Sequence, residues 1–339
     1  MKVARLHGPG DIRLTDEPAP EPGPGEELVR VTAVGICGSD LHWYDESEIG
    51  GVALDRPLVL GHEAAGVIAS GPRAGIRVVF DPNLPCGDCE TCARGLGHLC
   101  QRVRFLGHSD TDGALRELMT WPSDRLVPIP DVIDDIAGAT LEPLGVAIHA
   151  LRLADLRPGG TIAITGTGPI GQLLIRLAFA AGASTVLATD VLPHRVEAAR
   201  EAGAIAEVVD GGRERERLLD ALGAAGHQLV DTAIEIAGED DAIATAAILT
   251  RPGGTVVVAG IPAGTDSVVP ASVLRRKGLD LRFSRRMNRV YPDVLALVAS
   301  GRIRPGEVVT ATYGLTEVNA AFATAVRREG GKVVVRPNA

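Results

Sequence analysis

The clearest indication of the fold comes from residues 161–182, which read TIAITGTGPIGQLLIRLAFAAG. The first six residues form an apolar run of strand length, and residues 170–182 repeat apolar side chains at helical spacing on one face. A glycine-rich turn joins the two. A strand, a glycine-rich turn and a helix in this order begin a βαβ unit, so we predict a parallel sheet in this part of the chain.

The same alternation continues toward the C-terminus. Residues 186–190 (VLATD) read as a second strand, and residues 193–203 read as a helix with proline at its first position and glycine at its end. Residues 229–260 repeat the strand, helix and strand pattern. The prediction is therefore an α/β domain with a doubly wound parallel sheet.

The glycine-rich turn has the G-x-G-x-x-G spacing of a dinucleotide-binding loop, with Gly166, Gly168 and Gly171 around Pro169 and Ile170. The first glycine permits the tight turn, the second lets the backbone approach a pyrophosphate, and the third lets helix and strand pack closely. The helix N-terminus then offers N–H groups and a positive dipole to the phosphates. We predict that this segment binds a nicotinamide dinucleotide.

The choice of dinucleotide depends on the end of the next strand. Asp190 stands 24 residues after Gly166, where an acidic residue accepts the ribose 2′-hydroxyl and repels a 2′-phosphate. This favours NAD over NADP. Arg195 lies nearby and could accommodate a phosphate, and an alternative is that Asp190 only caps the following turn.

Composition limits the remaining possibilities. The chain has 339 residues, which predicts roughly two domains. It carries 34 Lys and Arg against 43 Asp and Glu, a net charge of −9, and only 3% aromatic residues, so a nucleic-acid partner is not expected. We find no apolar stretch of about 18 residues and no signal-peptide pattern at the start, so we expect no membrane partner and a cytoplasmic protein.

Four of the five cysteines lie within residues 86–100. The spacing Cys86-x2-Cys89-x2-Cys92-x7-Cys100 predicts a closed four-thiolate structural zinc site in a small lobe, about residues 84–102. Alternatives are an iron–sulfur centre, which also takes four thiolates, or four unrelated buried thiols.

A second set of metal-ligating side chains is scattered along the chain. Cys37, His62, Glu63 and Glu142 supply one thiolate, one imidazole and two carboxylates. If they converge, they could hold a catalytic zinc ion with an open coordination position. Asp40 is of the right type to hold His62 by its other ring nitrogen.

These motifs together resemble those of a known family. The segments are GICGSDLHWYDESEIGGV (35–52), RPLVLGHEAAGVI (56–68), CGDCETC (86–92), DG (112–113) and EPLGVAIHA (142–150), with the glycine motif. They resemble the zinc-dependent medium-chain dehydrogenase/reductase family, and within it the polyol (sorbitol, xylitol, L-idonate) dehydrogenase branch.

The resemblance implies a two-domain fold. Residues 1–145 and 286–339 would form a GroES-like, β-rich catalytic domain, and residues 146–285 a Rossmann nucleotide-binding domain inserted between them, with the active site in the cleft. Dimers of this family commonly pair nucleotide domains through the sheet edge, for which residues 279–283 are the candidate, and many bacterial members are tetramers. We therefore expect a homodimer or homotetramer.

The resemblance also implies roles for individual residues. Cys37 and His62 would be ligands of the catalytic zinc, and Glu63 a ligand in some states that trades places with water. Glu142 stands where alcohol dehydrogenases place a cysteine ligand, and would bind zinc directly or through its water.

The implied reaction is metal-assisted hydride transfer from a hydroxyl group to the nicotinamide. Ser39 and His42 match the family's proton relay, which runs from the serine hydroxyl through the cofactor ribose to the histidine. Trp43, Leu118 and Arg285 match substrate-contacting positions, although Arg286 competes with Arg285 for the alignment.

The sequence therefore predicts an NAD-dependent oxidation of a secondary alcohol of a polyol or sugar derivative to a ketone. One alternative keeps the chemistry and changes the substrate to a simple secondary alcohol, an amino-alcohol or L-threonine. A second alternative, of another class, is a family member that has lost catalysis and serves as a structural or ligand-sensing protein.

Overall fold

The computed structural model describes residues 1–338 and divides them into two compact units. Unit 1 combines Met1–Pro143 with the described residues from Tyr291 onward, and unit 2 is Leu144–Val290. The predicted domain limits are residues 145 and 286, and the two compact units divide after Pro143 and before Tyr291.

The N-terminal part of unit 1 consists mainly of short strands separated by loops. Its elements are β1 (Lys2–Leu6), β2 (Ile12–Asp16), β3 (Glu26–Gly35), α1 (Gly38–Glu46), β4 (Glu48–Ile49), β5 (Val52–Ala53), β6 (Leu58–Val59), β7 (Glu63–Ile68), β8 (Arg77–Phe80), β9 (Asn83–Leu84), α2 (Glu90–Ala93), β10 (Arg104–Phe105), β11 (Leu118–Pro122), β12 (Leu126–Pro128) and α3 (Asp135–Ala139), with 3₁₀ turns at Gly97–Leu99 and Ser123–Arg125.

From α4 onward, strands and helices alternate through unit 2. The elements are α4 (Leu141–Ala154), which contains the unit boundary, β13 (Thr161–Thr165), α5 (Pro169–Ala180), β14 (Thr185–Asp190), α6 (Pro193–Glu201), β15 (Ile205–Val208), α7 (Arg213–Ala224), β16 (Val230–Glu235), α8 (Asp240–Leu249), β17 (Thr250–Val258), α9 (Ala271–Lys277) and β18 (Asp280–Phe283). The sequence analysis left residues 205–224 unassigned, and they hold β15 and α7.

The unit 2 strands form one parallel sheet in the order β15-β14-β13-β16-β17-β18. This is the strand order of dinucleotide-binding doubly wound folds, with the change of direction at β13. All five residues of β13 are buried, as expected for a parallel strand covered on both faces. The predicted parallel α/β fold is confirmed.

The chain then returns to unit 1 through α10 (Tyr291–Ala299), β19 (Val309–Gly314), α11 (Val318–Arg327) and β20 (Lys332–Arg336), with 3₁₀ turns at Pro305–Val308 and Leu315–Glu317. The main sheet of unit 1 has the order β12-β8-β7-β3-β20-β19, with β11 also paired to β3. β20 pairs with β3 in antiparallel fashion, so both ends of the chain build this unit.

The apolar core of unit 1 packs around this sheet and the smaller sheet β2-β1-β6. Its largest fully buried side chains include Trp43, Phe80 and Phe322. A separate core in unit 2 lies between the parallel sheet and its helices, and it includes Leu187 and Leu222. No helix within residues 1–338 combines the length and the apolar character needed to cross a membrane.

Candidate metal centres and dinucleotide site

The four clustered cysteines bring their sulfur atoms together in unit 1. All four Sγ atoms lie within 4.8 Å of one another. Four of the Sγ–Sγ distances are 3.5 Å (Cys86–Cys100), 3.4 Å (Cys89–Cys92), 3.8 Å (Cys89–Cys100) and 3.9 Å (Cys86–Cys92). A tetrahedron with Zn–S bonds of about 2.3 Å needs sulfur separations of about 3.8 Å. The four residues therefore fit a closed zinc site.

The lobe is anchored by a short strand pair, and the pKa values of two of its thiols, Cys89 and Cys100, are lowered by hydrogen bonds from backbone N–H groups. β9 and β10 pair in antiparallel fashion on either side of the cysteine segment. The pKa of Cys89 is lowered to about 6, first by a hydrogen bond from the Cys92 backbone N–H, and the thiolate is the form that binds a metal. The pKa of Cys86 is raised to about 12, chiefly by its hydrogen bond with Asp88.

A second cluster combines Cys37, His62 and Glu63, with all ligand atoms within 4.8 Å of one another. Cys37 stands at the N-cap of α1, and Glu63 opens β7. His62 is 5% exposed and Glu63 is fully buried. A thiolate, an imidazole and a carboxylate at this separation fit a zinc ion that keeps a position open.

Asp40 ties the two segments of this cluster together. Its Oδ2 accepts a hydrogen bond from the backbone N–H of Cys37 at 2.9 Å, and its Oδ1 accepts one from Gly61 at 3.2 Å. The same Oδ1 lies 3.6 Å from Nδ1 of His62. Gly61 has φ of +95°, and a Cβ there would meet Val34, so glycine is required where the chain delivers His62. Asp40 thus lies where the sequence analysis expected a support for His62.

Burial and charge act in opposite directions on His62. Burial by itself lowers the pKa of this imidazole, but the adjacent Asp40 carboxylate and the Cys37 sulfur raise it well above its usual value. The cluster therefore favours a positive charge at this point, which a metal cation can also supply.

Glu142 lies close enough to interact with the cluster but is not one of the three groups within 4.8 Å. It opens the first turn of α4 and is 5% exposed. Burial raises its pKa to about 7, His62 opposes this rise, and the Glu63 carboxylate adds to it. Glu142 is thus a buried carboxyl group that a nearby cation would ionise.

The structure adds a residue that the sequence analysis missed. Lys332 is the first residue of β20, and its side chain is 3% exposed. Its Nζ lies 2.6 Å from Oε1 of Glu63 and donates to the carbonyl of Ile36 at 3.0 Å. The one signal in the sequence was a lysine at the start of an otherwise apolar strand, KVVVR.

The expected relay residues lie on α1. Ser39 and His42 are both half-buried and three positions apart, so they share a helix face. Nδ1 of His42 is 3.7 Å from a carboxylate oxygen of Glu46. The two side chains are thus neighbours next to Cys37 in the chain, and the relay itself stays a prediction.

The expected substrate-contacting residues lie on different elements of the two units. Trp43 is 1% exposed, and its indole N–H has no hydrogen-bond partner within residues 1–338. Its ring meets His108 edge-on at 5.2 Å. Leu118 is half-buried on β11, and Arg285 is exposed in unit 2, after β18. Its neighbour Arg286 is less exposed and has φ of +58°.

The glycine motif of unit 2 has the geometry expected of a phosphate-binding turn. Gly166 has φ of +100°, and a Cβ there would press on Ala237. A Cβ on Gly171 would collide with the carbonyl oxygen of Gly166, so helix and strand approach closely at this point. Gly168 is the N-cap of α5 and Pro169 its first residue. Ile170 follows in the first turn, half-buried.

Asp190 and Arg195 lie next to this turn. One carboxylate oxygen of Asp190 accepts from the N–H of Thr167 at 2.8 Å, and the other accepts from Leu192 at 3.0 Å. Arg195 Nη1 lies 4.0 Å from Asp190, and the same atom would be 3.4 Å from a Cβ on Gly168. Both predicted cofactor residues therefore border the glycine turn, and Asp190 also holds its backbone.

Comparison with known proteins agrees with this architecture. Residues 23–131 match the alcohol dehydrogenase GroES-like domain, and residues 169–300 match the zinc-binding dehydrogenase family. Sorbitol dehydrogenase of Bacillus subtilis is 35% identical over 100% of this chain and 98% of its own length.

Solved structures agree over the same extent. L-idonate 5-dehydrogenase of Escherichia coli superimposes with a TM-score of 0.88 at 28% identity, covering 99% of this chain and 97% of its own. A zinc-binding dehydrogenase of Sinorhizobium meliloti bound to NADP gives 0.89 at 31% identity, covering 99% of both chains.

The fold, the four-cysteine cluster and the cluster of Cys37, His62 and Glu63 together define a zinc-dependent alcohol dehydrogenase. The chain belongs to the zinc-dependent medium-chain dehydrogenase family, as its motifs indicated. Its similarity to sorbitol dehydrogenase also agrees with the expected resemblance to the polyol branch.

Proposed function

We propose that this protein oxidises a secondary alcohol of a polyol or sugar derivative to a ketone, with NAD as the hydride acceptor. The observation that carries the proposal is the cluster of half-buried Cys37 with buried His62 and Glu63, whose ligand atoms lie within 4.8 Å of one another. The relatives named sorbitol dehydrogenase and L-idonate 5-dehydrogenase support the substrate class.

Two zinc ions per chain are part of this proposal. Cys37 and His62 would hold the catalytic ion, with Glu63, Glu142 or water completing its surroundings, and the four cysteines of the lobe would hold the structural ion. When bound, zinc at the catalytic centre supplies Lewis acidity that lowers the pKa of an alcohol hydroxyl.

The chain's own residues orient the reacting groups and carry the proton away. Asp40 fixes Cys37 and His62 through the contacts described above. Ser39 would accept the proton released by the substrate hydroxyl while it gives up its own hydroxyl proton, and His42, on the same helix face and partly exposed, would pass the relayed proton to solvent. Trp43, Leu118 and Arg285 are the proposed substrate contacts.

NAD is the proposed cofactor because a carboxylate stands at the end of β14. Asp190 would repel the 2′-phosphate of NADP, whereas Arg195 would attract it. The relative that binds NADP makes NADP the competing cofactor. Gly166, Gly168, Pro169, Ile170 and Gly171 would line the pyrophosphate in either case.

The test is NADH formation by zinc-loaded protein at mildly alkaline pH. The substrates are sorbitol, xylitol, ribitol, galactitol, L-idonate, myo-inositol, 2,3-butanediol and L-threonine, each with NAD and with NADP. We expect turnover of a polyol or sugar acid with NAD and none in the Cys37→Ser variant.

Other outcomes discriminate the alternatives. Turnover of L-threonine or a simple alcohol alone would keep the zinc chemistry and reject the polyol assignment. Absence of turnover in a protein holding one zinc per chain would favour the structural or ligand-sensing alternative.

A homodimer or homotetramer is proposed from the edge of the parallel sheet. β18 pairs with β17 on one side, and Phe283 at its end is 70% exposed. An unpaired strand edge with an exposed aromatic ring is suited to pairing with a second copy. Light scattering of the purified protein measures the assembly.

We also propose that the protein is located in the cytoplasm, where clustered cysteines bind metal rather than form disulfides.

A further inference from the structure

Two opposite charges beside the glycine turn act on the choice between NAD and NADP. A carboxylate oxygen of Asp190 lies 4.0 Å from Nη1 of Arg195, and neither side chain is more than 18% exposed. A carboxylate at this place repels the 2′-phosphate of NADP, and an arginine accommodates it. The balance between the two cofactors therefore depends on what holds each charged group in place.

Asp190 is held by the backbone of the glycine turn and of the following loop. It accepts hydrogen bonds from the N–H and the hydroxyl of Thr167, and from the N–H of Leu192. Thr167 is fully buried. The carboxylate thus keeps one position relative to the glycine turn.

Arg195 is held by a different residue, Gln172, which stands in the first turn of α5 and is 7% exposed. Nε2 of Gln172 donates to the carbonyl of Thr167 at 3.3 Å and to the carbonyl of Arg195 at 3.1 Å. Arg195 belongs to the first turn of α6. The Gln172 amide therefore connects the start of α6 to the glycine turn.

Arg176 fixes the orientation of the Gln172 amide. Its Nη1 donates to the side-chain oxygen of Gln172 at 3.2 Å and to the main-chain carbonyl of the same residue at 3.1 Å. One end of the amide accepts from Arg176, and the other end donates to two carbonyl groups. Because breaking any of these bonds would leave a buried polar group without a partner, the amide is a strong restraint on both helices.

This restraint determines where the Arg195 guanidinium lies. Its Nη1 is 3.4 Å from the position that a Cβ on Gly168 would take, so the guanidinium extends over the glycine turn. There its charge opposes that of Asp190, which stands where the cofactor ribose is expected. If the start of α6 moved away from α5, Asp190 would act on the 2′-phosphate without this opposing charge.

We propose that Gln172, oriented by Arg176, is a positioning residue that holds Arg195 close to Asp190 and so reduces the preference of the site for NAD over NADP. This inference rests on the proposed function, because it assumes a nicotinamide dinucleotide at the glycine turn. It assigns Gln172 no contact with the cofactor. Its effect passes through Arg195.

The first test compares Gln172→Met with wild type by fluorescence titration with NADH and with NADPH. Methionine has a similar length and cannot donate to the two carbonyl groups. We expect NADPH to bind about fivefold more weakly and NADH to change by less than about twofold, because Arg195 no longer offsets the repulsion between Asp190 and the 2′-phosphate. An unchanged ratio of the two dissociation constants would overturn the proposal, as would equal weakening of both cofactors.

Thr250→Val is the matched control for a general loss of stability. Thr250 is also fully buried in unit 2, and its hydroxyl donates to the carbonyl of Ala246 at 2.7 Å. It stands at the start of β17, whereas the glycine turn follows the end of a parallel strand. This variant should keep the wild-type ratio, and a shift equal to that of Gln172→Met would assign the effect to stability alone and reject the proposal.

A second comparison asks whether the effect passes through Arg195. Arg195→Gln removes the charge that Gln172 is proposed to place. In this background, adding Gln172→Met should change the ratio by less than about twofold. A further shift of about fivefold would show that Gln172 acts independently of Arg195 and would reject the proposal.

Arg176→Met tests the same restraint without changing the buried amide. Arg176 is half-buried, and its loss removes the donor that orients Gln172. We expect the ratio to shift in the same direction as in Gln172→Met, by about twofold. A wild-type ratio in Arg176→Met would reject the role of Arg176 and, if Gln172→Met does not fold, the whole proposal.

Titration with reduced cofactors also separates this inference from the proposed function, because it needs no alcohol. Wild type that binds both dinucleotides, with the same ratio in Gln172→Met, would reject the role of Gln172 alone. Wild type that binds NADH but not NADPH would also overturn the inference, since Arg195 would then not offset Asp190. Wild type that binds neither dinucleotide would reject the proposed function itself.

Discussion

The two metal-ligating clusters of unit 1 are built in opposite ways. The lobe takes four like ligands from one segment of 15 residues, Cys86 to Cys100. The central cluster of Cys37, His62 and Glu63 takes unlike ligands from two separate segments, and the buried Lys332 adjoins it.

This difference distinguishes a structural metal site from a catalytic one. Four thiolates close a tetrahedron and leave no position for a substrate. A thiolate, an imidazole and one carboxylate supply three ligands and leave a fourth position for a substrate. The lobe can form from local chain geometry, whereas the central cluster exists only when β3, β7 and β20 pair in the observed register.

The largest effect on zinc content and stability is expected from removing a thiol of the lobe. Cys100→Ser removes the one buried thiol of the four, and zinc binding contributes about 10 kcal/mol in small structural zinc domains. We expect zinc to fall from two ions per chain to one and the melting temperature to fall, measured by elemental analysis and calorimetry. Cys37→Ser is the matched control, since it removes a thiol from the other cluster. Two zinc ions retained in Cys100→Ser would show that the lobe does not need four thiolates.

The next largest effect is on catalysis at the central cluster. Cys37→Ser should lower kcat/KM by about a thousandfold, or about 4 kcal/mol, because the catalytic metal loses its thiolate ligand. The lobe should keep its zinc, and the melting temperature should change less than in Cys100→Ser. Steady-state kinetics and zinc analysis check this. Activity within tenfold of wild type would place the chemistry elsewhere.

Sequence alone predicted the features that depend on neighbours along the chain. The strand, glycine turn and helix around Gly166, the alternation of strands and helices in unit 2 and the spacing of the lobe cysteines are all local patterns. For the central cluster, the sequence indicated only which residue types could bind a metal. Whether those residues meet in space depends on the register in which the strands pair. Lys332 was missed, since its partner Glu63 is 269 positions away and no local pattern links them.

Glu142 illustrates a similar limit. Its chemical type can be read from the sequence and its place follows from the family resemblance, but its burial and the charges around it depend on α4 packing near His62 and Glu63. The position of Trp43 after His42 predicts a substrate contact, which stays a prediction, and the near-complete burial of its ring is a feature that this position does not indicate. Burial of a particular side chain depends on tertiary packing and cannot be read from the spacing of residues in the sequence.

A smaller effect, on zinc affinity, is expected from Asp40, which contacts Cys37 and His62 in the central cluster. Asp40→Asn keeps the size of the side chain but removes the charge beside His62, so we expect about 10- to 100-fold weaker zinc binding there. Chelator competition measures it, with the lobe zinc as internal reference. Asp88→Asn, on the exposed lobe surface, is the matched control and should leave the central affinity unchanged. Unchanged affinity in Asp40→Asn would mean that Asp40 only caps α1.

The smallest effect concerns pH in the metal-free protein. The pKa of Glu142 is raised from 4.5 to about 7, so the folded state holds its proton in a range where the unfolded chain has released it. The stability that this group contributes is complete below pH 4.5 and is lost as pH rises through about 7, at no more than about 1.4 kcal/mol per pH unit. Glu142→Gln should lack this decline in denaturant unfolding followed across pH.

The control for this comparison lies in the lobe. The pKa of Asp88 is lowered, first by its hydrogen bond with Cys86, so its contribution is present above its ordinary pKa of 3.8 and is lost only under more acidic conditions. Asp88→Asn should therefore leave the decline between pH 4.5 and 7 intact. Zinc loading should flatten the decline in wild type, because a cation near His62 favours the ionised form of Glu142 and brings its folded pKa toward the unfolded value. A decline of equal slope in Glu142→Gln would assign it to another carboxyl group whose pKa burial raises, such as Asp81.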